Sequence, residues 1–224
     1  PMLSIVSGGS IPIELTAQIN EYGLYAHIDI DMMSTMKQVI EVTFSSGYQI
    51  KNSGFEAFHV ASVTNPSDET ETVTSDEPDN WHSFMSSTSN GMPLPVLTWM
   101  AVNTPHTFIS NDVRPGSDGQ SSLLLTSSSI LGIIANGTVT TGRINAGSPA
   151  AADAKNNSYS DITMTDVDAN GDPFYSKLNA RPDSLIAWVK FKQTTPSEEY
   201  PYATIKAVVT DGTYFQDPED KEYT

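Results

Sequence analysis

The stretch Asp166-Val-Asp-Ala-Asn-Gly-Asp-Pro-Phe-Tyr-Ser-Lys-Leu-Asn-Ala-Arg-Pro-Asp-Ser-Leu-Ile-Ala-Trp-Val-Lys-Phe-Lys192 decides the fold class. Its second half alternates. Leu185, Ala187, Val189 and Phe191 fall on one side, and Ser184, Ile186, Trp188, Lys190 and Lys192 on the other. Period two with one wholly apolar face predicts a strand that turns that face to a core. Pro182 biases Arg181 toward an extended backbone at the strand's approach. Trp188, on the mixed face, has two readings. A flat exposed indole stacks on a sugar ring, and a packed one sits at a sheet boundary with its N–H satisfied.

The first half is an acidic loop. Asp166, Asp168 and Asn170 alternate, Gly171 permits a sharp turn, and Asp172 takes the seventh position. A calcium loop needs oxygens that converge on one point and a glycine where the chain turns, and D-x-D-x-N-G supplies both. Lys177 holds the twelfth position, where an EF-hand has a bidentate Glu, and Pro173 follows directly. A short inter-strand calcium loop with ligands Asp166, Asp168, Asn170 and Asp172 is one expectation. An ordinary Asx-rich turn, which these residues build without metal, is the other.

Composition narrows the function classes. The chain has 224 residues, enough for one large β domain or two small ones. Acids outnumber bases 27 to 11, a formal charge of −16, which opposes phosphate backbones and anionic lipid. Nucleic acid and anionic membrane surfaces are therefore not expected partners, no apolar run is long enough for membrane insertion, and neutral glycans and cations remain compatible. The absence of cysteine removes disulfides, thiolate zinc sites and Cys nucleophiles. The chain opens at Pro1 without an initiator Met, which reads as a trimmed piece with any export signal upstream.

Along the chain, Ile13 to Ile19, Leu24 to Ile30 and Ile40 to Phe44 alternate cleanly and predict a three-stranded β-meander over residues 1–50. Residues 45–53 read as a linker. Residues 62–80 are acidic and polar and read as a long exposed loop. From 83 to 118 come Ser/Thr/Asn-rich turns with prolines at 93, 95 and 105. Gly119 to Thr126 predicts a buried strand and Ile130 to Ile134 a second apolar run. Residues 141–160 read as a small-residue connection with room for one helical turn, and Tyr202 to Val209 as another strand. Short strands without a long amphipathic helix indicate an all-β sandwich.

Several of these segments together resemble one family. Gly54-Phe55-Glu56 with Trp81, Gly119 to Thr126, Gly142, and Arg181-Pro182-x-x-Leu185-x-x-Trp188-x-Lys190-Phe191 are similar to the putative carbohydrate metabolism domain family of exported gut-bacterial proteins, across about 54–215. Residues 1–50 are similar to the closing strands of a calycin-like barrel. The resemblance implies a jelly-roll-like antiparallel β-sandwich over 54–224, preceded by the meander, on a secreted protein or lipoprotein of the bacterial cell surface. The chain departs from the family where Ala187-Trp188 replaces a glycine–aromatic pair, and the acidic last strand is missing. The expectation is a sandwich completed by a C-terminal segment or a partner chain.

No catalytic constellation is legible. His27, His59, His82 and His106 lack H-x-x-x-H spacing, and no nucleophile elbow or phosphate loop occurs. The expected function is a noncatalytic carbohydrate-binding or glycan-associated module, with Trp81, His82, Trp188 and Arg181 as ligand-binding candidates. A structural or adhesive module that binds a surface protein is the alternative, and a glycoside hydrolase comes third. Glu56 is open to two readings, a carboxylate near calcium or one bonded to a neighbouring strand or loop.

Overall fold

The computed structural model describes residues 25–33, 39–47, 49–130, 133–178, 185–195, 198 and 201–219. By contacts the chain divides into two units, residues 1–51 with 178–182, and 52–177 with 183–224. The fold class is all-β. Eleven strands and one helix are found among the described residues, and every strand pairing is antiparallel. None of the described helices is long and apolar enough to cross a membrane.

In the first unit β1 (Tyr25–Met33) pairs with β2 (Val39–Gly47), with Ile28 opposite Phe44 and Ile30 opposite Val42. The two alternating runs therefore meet in register. The third expected strand, Ile13 to Ile19, lies outside the described residues.

The second unit opens with a long hairpin, β3 (Phe58–Asn65) against β4 (Asp68–Pro78). This corrects the exposed loop expected over 62–80. The acidic composition hid a β-branched run, Thr70, Thr72, Val73 and Thr74, which suits a pleated ladder. The turn closes through side chains. Asn65 Oδ1 accepts from Ser67 N at 2.9 Å, and Asp68 Oδ1 accepts from Thr70 N at 3.0 Å. The tip is exposed, whereas Ser75, Glu77 and Pro78 at the base are buried. That gradient puts the hairpin's polar base, not its tip, into the core.

A 3₁₀ turn (Phe84–Ser86) and helix α1 (Pro95–Val102) follow, where only turns were expected. Pro95 is the reason. A proline in the first helical turn gives up no hydrogen bond and presets φ. The helix buries Trp99 and Val102. Strand β5 (Thr107–Ser110) pairs with β6 (Ser122–Leu125), and β7 (Ser128–Ile130) with β8 (Ile133–Ala135). Leu124 and Leu125 remain 46% and 38% exposed, so the strand expected to be buried is half open.

The connection expected at 141–160 is instead two strands, β9 (Arg143–Ala146) and β10 (Asn156–Ser160), in a sheet completed by β11 (Phe215–Asp217). Its small residues serve close approach. A Cβ on Gly142 would run into the Tyr159 carbonyl, and one on Gly147 into those of Asn90 and Lys155. Asn145 fastens the sheet to the preceding loop by donating to Asn90 O at 2.9 Å and Lys155 O at 2.8 Å.

The two strands read at 185–191 and 202–209 are not formed among the described residues. Val189 is 61% exposed and Val209 62%, so the expected apolar face covers no core. The physical reason is that alternation specifies which residues share a face, but a strand also needs a neighbour to take its N–H and C=O groups. Lys190 forms an ion pair with Asp112, and the Arg114 guanidinium lies 4.8 Å over the Trp188 ring.

Candidate functional site

The site starts from the base of the hairpin, where register places His59 on β3 directly opposite Glu77 on β4. After Pro78 the chain turns sharply. Asn80 sits at φ 65, a left-handed conformation that asparagine tolerates, and Trp81 N donates to Pro78 O at 3.0 Å. The turn delivers His82 into the interior, where it exchanges backbone hydrogen bonds with Thr140 at 2.7 and 3.0 Å. The acidic loop then closes over the same place.

Within that loop Asp168 turns inward. Its Oδ1 accepts from Asn170 N at 2.9 Å and Asp172 N at 2.8 Å, the geometry of an Asx turn. Its Oδ2 lies 3.4 Å from His82 Nδ1 and 3.7 Å from His59 Nε2. Asp166 goes elsewhere, to Arg143 Nη1 at 3.1 Å, and is largely exposed. Asp172 Oδ2 accepts from Asn80 N at 2.8 Å and from the Asn170 amide at 2.9 Å. The spacing D-x-D-x-N-G-D predicted one shared ligand point. The three acids have different partners: Arg143 for Asp166, the loop amides of Asn170 and Asp172 for Asp168 Oδ1, and Asn80 N with the Asn170 amide for Asp172.

Glu77 is fully buried. Its Oε1 accepts from the Ser83 hydroxyl at 2.6 Å and the Ser86 hydroxyl at 3.0 Å, and from Ser83 N at 2.5 Å. Three donors on one oxygen fix the orientation of the carboxylate. Its other oxygen, Oε2, faces His59 Nε2 at 3.6 Å. His59 in turn places Nδ1 3.1 Å from Asp79 Oδ1, and His82 places Nε2 3.2 Å from the Pro173 carbonyl. A carboxylate and a carbonyl can only accept, so these two ring nitrogens carry the protons in the neutral imidazoles. Burial pushes His82 below the ordinary histidine range, against the Pro173 carbonyl and the charges of Glu77, Asp168 and Asp172. Two groups stand close enough to chelate a cation: His59, Glu77 and Asp168, and His59, Asp79 and Asp172.

No family model, curated protein or solved structure matches this chain. The functional reading therefore rests on geometry.

Beside the cluster a cavity of about 240 Å³ is lined by Ala61, Ser62, Glu77, Met85, Ser86, Ser87, Arg143, Val167, Asp168, Ala169 and Phe174. Phe174, one of these residues, is buried against the His82 ring at 4.4 Å between centroids, with the Arg143 guanidinium 4.2 Å over its face.

Of the ligand candidates named from sequence, His82 is in the interior cluster and fully buried, so it presents no surface to a glycan. Trp81 is half-buried and tilted on Phe55 at 5.2 Å. Trp188 is 73% exposed beneath Arg114, and Arg181 lies outside the described residues. Glu56 accepts from Gln120 N at 3.0 Å and Ser121 N at 3.1 Å, the loop-bonded arrangement of its two readings. Sequence reasoning missed Glu77, Asp79, Ser83 and Arg143, and His59 as a partner of Glu77. No simple count finds the pair, because the ladder shifts register between Thr64 and Asn65, so 59 meets 77 and not the residue that counting from the Asn65–Asp68 turn gives.

Proposed function

We propose that the chain is a noncatalytic recognition module, on a jelly-roll-like β-sandwich, that takes a single sugar ring or the end of a glycan in the cavity lined by Arg143, Phe174 and the serines beside them. The observation that carries this reading is the cavity's lining. It combines a guanidinium and an aromatic ring with the hydroxyls of Ser62, Ser86 and Ser87. Sugar recognition uses an apolar face with a few placed polar groups, and the size fits one ring rather than the about 300–1,000 Å³ of larger ligand sites.

The noncatalytic assignment has its own support. Glu77 and Asp168 are the two carboxylates of the lining, but their side chains are fully buried, and one oxygen of each is taken by structural donors. A glycosidase needs both carboxyls at the scissile bond. The test is calorimetry and a glycan array on the protein, its Arg143→Ala variant and Ser62→Trp, which obstructs the cavity from an exposed position. Binding is expected in the first and loss in the others. Binding that survives both substitutions would overturn the site, and no binding to any neutral or acidic glycan would overturn the function.

A second reading, an adhesive module, is favoured by one observation. Leu185 to Phe191 and Tyr202 to Val209 are apolar, exposed and without ladder partners among the described residues, as in surfaces that accept an added strand.

A further inference from the structure

We propose that His59 Nε2, Glu77 Oε2 and Asp168 Oδ2 form a site for one divalent transition-metal ion of the zinc class, in the wall of the cavity that Glu77 and Asp168 also line. These three atoms, and His82 Nδ1 beside Asp168, are buried and lack a hydrogen-bond partner. Buried polar atoms without partners are rare, and several of them close together need a common explanation.

A shared proton does not provide it. The contacts are 3.6, 3.7 and 3.4 Å, longer than a hydrogen bond to a charged group. The imidazole protons, moreover, are already committed on the far sides of the rings, to Asp79 and Pro173. What remains is lone pair facing lone pair, with two carboxylates removed from water. A cation reconciles these features. Ligands at about 2.0–2.2 Å from a tetrahedral zinc lie about 3.3–3.6 Å from one another, close to the spacing found.

The surroundings are those of a built metal site, in which outer partners orient each ligand and fix its tautomer. Asp79 holds His59. Ser83 and Ser86 hold Glu77, while the backbone of Asn170 and Asp172 holds Asp168. Each arrangement leaves one atom free, and the free atoms face inward. Nitrogen donors select zinc-class ions over calcium, which takes six to eight oxygens. The three ligands come from β3, β4 and the acidic loop, so the ion would tie these elements together.

The test is titration of the intact, chelator-treated protein with zinc by calorimetry and with cobalt(II) by visible absorption. One equivalent is expected, with the intense bands of four-coordinate cobalt and no competition from millimolar calcium. His59→Gln and Asp168→Asn should weaken binding at least 100-fold. Asp79→Ala, which removes only an outer partner, should weaken it about 10–100-fold. Asp166→Ala, in the same acidic loop but paired with Arg143, should leave it unchanged. If the ligand variants do not fold, the contrast between Asp79→Ala and Asp166→Ala decides. Substoichiometric binding by the folded protein, equal competition by calcium, or equal losses in the Asp79 and Asp166 variants would each overturn the proposal.

Discussion

His59 and Glu77 face each other across the β3–β4 ladder, with Nε2 and Oε2 3.6 Å apart and neither atom hydrogen-bonded. Two acceptor atoms at that spacing gain nothing from one another. The pair is a defect in a metal-free protein and an asset in a metal-bound one.

Glu77→Gln should therefore change sign with metal. With chelator present, the carboxamide keeps an oxygen for Ser83 and Ser86, turns an N–H toward His59, and removes one buried charge. Stability should rise by about 1–2 kcal/mol. With zinc present, the variant should be less stable than the native chain, because a ligand is gone and stabilisation by mass action goes with it. Urea midpoints in the two conditions check this. A shift of the same sign in both contradicts it.

Phe174→Ala should cost about 3–5 kcal/mol, the range for deleting a buried ring. The ring is 1% exposed, between His82 and Arg143. Denaturant unfolding measures the loss. A cost below about 1 kcal/mol would mean that the ring is not part of the core.

Asp161 should titrate below the ordinary aspartate range. The Thr163 hydroxyl and Thr163 N, both at 2.7 Å, favour its charged form. A depressed folded-state value means that the turn's contribution is present above the unfolded value near 3.8 and is lost as pH falls through the folded one. A carboxyl NMR titration of the protein and of Thr163→Ala tests this. The variant should return toward the ordinary value.

Sequence alone made the all-β class legible, and the reason is local. Alternation in Tyr25–Met33 and Val39–Gly47 needs only neighbouring residues to be read, and those strands pair. Turn residues also spoke locally. Asp, Asn and Gly at these positions read as an Asx turn, and the hydrogen bonds from Asn170 N and Asp172 N to Asp168 Oδ1 are those of such a turn. The candidate site was not legible because it joins distant segments. His59 meets Glu77 only through hairpin register, and both meet Asp168 only after the acidic loop closes. Nothing periodic marks such a meeting. The strand read at Leu185–Phe191 failed for the complementary reason: the pattern was present but no ladder partner is found among the described residues.

The exposed apolar segments should drive self-association. Val189→Lys and Ile205→Lys, at positions 61% and 58% exposed, should lower the sedimenting mass at high protein concentration. They should shift the unfolding free energy by no more than about 0.5 kcal/mol. A large loss of stability in either variant would show that the residue is packed in the folded chain.

The most direct measurement is an anomalous-difference map at the zinc edge from crystals of the metal-exchanged protein. The account predicts one peak at about 2.0–2.2 Å from His59 Nε2, Glu77 Oε2 and Asp168 Oδ2. A folded protein with no peak there under excess zinc, and a water molecule bridging the three atoms instead, would contradict it.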